Sequence, residues 1–119
     1  MTPEEHRAKA AKIERSLAKC GPGDYEMQIE AAMLAGTHWL NLVLHRMGVT
    51  PPQGDVLHTY MLTVNELRRC QAADRELVDA LVEIEDIRPP FVRGNVAGGP
   101  QAAARALELL GVLRRKAGG

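Results

Sequence analysis

Ala31-Ala-Met-Leu-Ala-Gly-Thr-His-Trp-Leu-Asn-Leu-Val-Leu44 is apolar on nearly every side if wound as a helix. A surface helix keeps one polar face in water, so a helix without one belongs at the centre of a domain, touching several neighbours. Its boundaries are marked. Asp24 offers an N-cap after Gly21-Pro22-Gly23, and Gly48 follows Met47 as a left-handed stop. A helix of about 23 residues spans roughly 34 Å, enough to backbone the whole chain. Ala31, Ala32, Ala35 and Gly36 predict close approach by another helix.

Outward from this segment, four more helices are expected. Thr2-Pro3-Glu4-Glu5 has a capping residue, a proline for the first helical position and a glutamate to close a capping box, and His6, Ala10, Ile13 and Leu17 form one stripe. The turn-rich 48–55 connector leads to a third helix with Leu57, Tyr60, Met61, Val64 and Leu67 on one face. A fourth runs from about Asp74 to Ile87 with Leu77, Leu81, Ile84 and Ile87 inward and its acids outward, and Arg88-Pro89-Pro90 ends it. Gly98-Gly99-Pro100 opens the fifth, with Ala103, Leu107 and Leu110 on its stripe and Arg114, Arg115 and Lys116 at its C-terminal, electronegative end. No strand-like alternation competes. The expected fold is all-α, an antiparallel four- to five-helix up-down bundle in a single domain, residues 1–119.

Composition narrows function. Fifteen basic residues balance fifteen acidic ones, so no whole-molecule field draws the chain to nucleic acid or to a membrane surface. Six acids between 74 and 86 and the basic last helix are expected to pair or to lie on separate solvated faces. Cys20 and Cys70 lack metal-site or redox spacing. With no apolar leader and no stretch of about 18 uninterrupted apolar residues, a cytoplasmic protein is expected.

The candidate chemistry is sparse. His38 and His45 are seven apart on helix two, about 10 Å along the axis, too far to share one metal, so both read as buried or interface polar residues and no metal or cofactor is expected. Asn41 lies between Leu40 and Leu42 and must find a polar partner, in another helix or a second subunit. His58 reads as exposed or capping. The Arg88, Arg93 and Asn95 loop offers positive charge to a phosphate or a carboxylate. It has no His, Cys or Ser to act as base or nucleophile, so no catalytic residue is assigned.

In order of features the chain resembles the HEPN superfamily, small helical bundles found beside nucleotidyltransferases and in toxin–antitoxin systems. The likeness rests on a Glu-rich first helix, on residues 23–41 as a small-residue helix carrying His38, and on Leu81–Arg88 and Gln101–Leu110 as the last two helices. Ribonucleases of that superfamily carry an Arg followed after four to six residues by His, at a dimer interface. Arg88 stands at the matching place, but Arg93, Gly94 and Asn95 stand where that His would be. The resemblance therefore implies a non-catalytic interaction or regulatory module, homodimeric, with a protein partner encoded nearby. The alternative is a metal-independent ribonuclease or other enzyme with a divergent site at the dimer interface.

Overall fold

A computed structural model describes all residues, 1–119. It is all-helical, with five α-helices: α1 (Pro3–Leu17), α2 (Tyr25–Arg46), α3 (Val64–Ala73), α4 (Arg75–Arg88) and α5 (Gly99–Lys116). None is long and apolar enough to cross a membrane.

Helix α2 is the hub. It packs against α1, α5 and α4, and Ile29, Ala32, Ala35, Leu40, Leu42 and Leu44 are essentially sealed from solvent. The small-residue face does what its composition predicts: a Cβ on Gly36 would come within 2.9 Å of the Leu113 side chain of α5. Capping is local and mostly as read. The Thr2 hydroxyl accepts from the Glu5 N–H, the Asp74 carboxylate from the Leu77 N–H, and Gly48 and Gly98 take left-handed φ angles of 72° and 98°. Asp24 differs. Its carboxylate turns back to accept from the Gly21 N–H at 2.7 Å and leaves α2 without a side-chain cap.

The acidic and basic segments pair. Lys116 reaches both Asp74 and Glu76 at 3.2 Å, and Arg105 donates to both oxygens of Glu83. Beneath α2, Glu14 accepts from the Trp39 indole at 2.7 Å and from Arg114, joining α1, α2 and α5 through one carboxylate.

Three expectations are corrected. The helix expected over Leu57–Leu67 does not start until Val64; before it stands only a 3-10 turn, Thr59–Met61. Thr63 closes a full capping box with Glu66, so its backbone is extended where a continuous helix would need it wound. Leu57, Tyr60, Met61 and Val64, expected to share one face of that helix, are exposed. Glu85, expected outward, is buried and accepts hydrogen bonds from the Thr59 N–H and hydroxyl. Finally, the α-helical part of α4 ends at Arg88, as expected, but the chain does not open into a loop there. A π turn, Pro89–Arg93, prolongs the helix, with the Gly94 N–H donating to the Pro89 carbonyl at 2.9 Å. Widening the turn to a five-residue reach accommodates rings that would clash in an α-helix and that lack donors.

Candidate functional site

The densest polar chemistry lies between α1, α2 and the α2–α3 connector. His6, fourth residue of α1, is 1% exposed. Its Nε2 lies 2.9 Å from Asp55 Oδ1, and His45 Nε2, from the last turn of α2, lies 2.8 Å from the same oxygen. His6 Nδ1 meets His38 Nδ1 at 2.9 Å. His45 Nδ1 faces Thr50, with the carbonyl at 3.1 Å and the hydroxyl at 2.9 Å. The Met1 ammonium adds contacts of 3.2 and 3.1 Å to the two Asp55 oxygens and 2.6 Å to the Pro52 carbonyl.

Asn41 sets this geometry. Its side-chain amide donates to the Val56 carbonyl and its oxygen accepts from the Val56 N–H, both at 2.7 Å. The partner expected for it in another helix or subunit is thus the connector backbone, which it clamps in the manner of a strand neighbour. That clamp places Asp55, one residue earlier, over the two imidazoles. The electrostatics follow. Burial opposes ionisation of Asp55, but hydrogen bonds from His45, His6 and the terminal ammonium outweigh it and hold the carboxyl down at about 2. Burial lowers the pKa of His6 against the pull of Asp55, and lowers that of His38 with help from His6 and Lys9.

His38 and His45, seven residues apart on α2, do not form a donor set by themselves. The fold brings in His6 and Asp55 from other elements, and His6, His45 and Asp55 place one ligand atom each within 4.8 Å of one another. Neither residue stood out in the chain: His6 occupies a stripe position filled elsewhere by apolar side chains, and Asp55 follows a Pro-Gly turn where aspartate is ordinary.

The other candidates are placed apart. Arg88 is half-buried and its guanidinium is paired with Glu30 of α2 rather than with Glu85 or Asp86. Arg93 and Asn95 are exposed at the end of the π turn, and Arg93 has no salt-bridge partner. His58 pairs with the buried Glu85 at 3.0 Å and stacks on Tyr60 with ring centroids 4.6 Å apart. No histidine hydrogen-bonds to either arginine.

Exposed apolar side chains also line the seam between α1 and α2. Ile13 and Leu17 of α1 and Met27, Ala31 and Leu34 of α2 line a groove, and Leu34 also belongs to a second concavity with Met33, His38 and Leu57. Met27 is 60% exposed and Leu34 48%. Comparison with protein-family models, with curated proteins and with solved structures finds no match, so residues and geometry alone carry the functional reading.

Proposed function

We propose that this chain is a non-catalytic interaction module of the HEPN-like, up-down helical-bundle type, and that it forms a homodimer through the outward stripe of α2. The observation that carries this reading is the run Met27, Ala31, Leu34 and His38. Its four-three-four spacing is that of a helix–helix seam, and it lies open in a helix whose other faces are covered by its own chain. Large apolar side chains grouped along one groove mark association surfaces on soluble domains. A two-fold arrangement lets the stripe of one copy cover that of the other.

The arginine loop supports the non-catalytic part. Glu30 neutralises Arg88, which leaves Arg93 beside Asn95 as a single free guanidinium, and the four histidines hydrogen-bond elsewhere. Acid–base cleavage of RNA needs a proton carrier near the scissile phosphate.

Sedimentation of the purified chain at tens of micromolar tests the dimer. The expected result is a dimer, converted to a monomer by Leu34→Asp with the helical circular dichroism unchanged. A parent protein that sediments as a monomer overturns the reading.

A further inference from the structure

The geometry points to a binding site for one first-row divalent transition-metal ion, zinc or its chemical relatives, formed by His6, His45 and Asp55. This inference does not rest on the dimer reading: its three donors lie outside the outward stripe of α2, and only the positioning residue His38 belongs to both. Two imidazoles and one carboxylate are the donor set such ions take from proteins. The donors come from α1, α2 and the connector, and their ligand atoms lie within 4.8 Å of one another. Both Nε2 atoms converge on Asp55 Oδ1, at 2.9 and 2.8 Å. At metal–ligand bonds of about 2.0–2.1 Å, atoms at that separation subtend roughly a right angle. The three donor atoms spread over up to 4.8 Å, more than twice such a bond, so the two rings draw together on binding, and the partly open Asp55 side leaves positions for water.

The second nitrogen of each imidazole strengthens the case. A ligating histidine ordinarily donates its other N–H to an oriented acceptor, which fixes the ring. His45 Nδ1 has the Thr50 carbonyl at 3.1 Å, and His6 Nδ1 has His38 Nδ1 at 2.9 Å. Thr50 also presents its hydroxyl to the same nitrogen at 2.9 Å, so this position serves either tautomer.

Without metal, His6 and His45 carry their protons on Nε2 and donate to Asp55, while His38 donates from Nδ1 to His6 and Thr50 Oγ donates to His45. With metal, His6 and His45 carry their protons on Nδ1 and donate to His38 and to the Thr50 carbonyl, and the proton of His38 moves to Nε2. Each ring stays neutral and no proton is lost overall. His38 and Thr50 are therefore positioning residues, and the Met1 ammonium, 3.1 Å from Asp55 Oδ2, is the cation the ion would crowd.

The test uses the full chain, stripped with a chelator and titrated with zinc by calorimetry and with cobalt(II) by visible absorption. One equivalent per chain is expected, with a rise in melting temperature. His45→Gln and Asp55→Asn should abolish the stoichiometric step. His38→Phe should weaken it by about ten- to a hundredfold, the usual effect of removing a ligand's orienting partner. His58→Ala, outside the cluster, should change nothing. Nitrogen-15 shifts of the parent's imidazoles, which need no variant to fold, should show His6 and His45 moving to the Nδ1–H tautomer on adding zinc. A parent chain that takes up less than half an equivalent, or whose imidazole shifts ignore zinc, overturns the inference. So does equal loss of binding in His58→Ala.

Discussion

At the scale of single residues, the fold depends on side chains whose partners are distant in the chain. Leu40 is 1% exposed at the centre of α2, with core on all sides. Truncating it to alanine removes buried methyl groups and leaves a cavity that helices held from both sides cannot close, so Leu40→Ala should cost about 2–5 kcal/mol. Urea unfolding measures this, and Lys9→Ala, on the exposed face of α1, is the comparison expected to differ little from the parent. A Leu40→Ala protein as stable as the parent would mean that α2 is not the packing centre. Glu85 teaches the opposite lesson. By periodicity it belongs outside with the other acids of α4, yet the Thr59 N–H and hydroxyl and the His58 ring draw it inward. A buried carboxylate is tolerable when donors surround it.

At the scale of elements, legibility follows the range of the deciding interaction. The starts of α1 and α4, and the glycines at the end of α2 and just before α5, were readable because Thr2, Asp74, Gly48 and Gly98 act within a few residues of themselves. Helix α3 was misplaced because Leu57, Tyr60, Met61 and Val64 repeat at helical spacing, while Glu85, more than twenty residues later, holds Thr59 in a different conformation. The histidine cluster was invisible for the same reason: positions 6, 45 and 55 share no local pattern and meet only once α1 lies along α2. Helix α3 rests chiefly on α4, which makes it the element expected to open first. Cys70 on α3 is 2% exposed and burial raises its pKa, whereas Cys20 is half-buried at the groove. A thiol reagent under native conditions should therefore label Cys20 at least about tenfold faster than Cys70, since only an exposed thiolate reacts. Mass spectrometry of a time course reads the two sites separately, and equal rates would show that α3 does not shield its thiol.

For the whole molecule, the cluster predicts how stability responds to acid. His6 and His38 bind protons less readily in the fold than their ordinary value of 6.5, as burial disfavours the charged ring. The unfolded chain therefore takes up more protons as pH falls, and the stabilisation present above about pH 6.5 is lost progressively below it. Groups facing these rings include Asp55, His45, Lys9 and the Met1 ammonium. The Asp55 contribution persists lower, present above its ordinary 3.8 and lost as pH falls towards about 2. Unfolding free energy measured by urea should stay level from pH 8 to 7 and drop on the order of 1 kcal/mol or more by pH 5. Stability that rises on acidification over that range would contradict neutral, buried imidazoles.

His38 belongs to two places at once. One edge of its ring touches His6 within the buried relay, and the ring also helps to line the concavity with Leu34 and Leu57. Thermodynamic linkage then runs in both directions: whatever covers that concavity and discriminates between ring tautomers or charge states must shift the proton equilibrium inside, and protonation inside must shift the affinity of the cover by the same factor. A cover on that concavity would thus be felt inside the bundle across a single hydrogen bond.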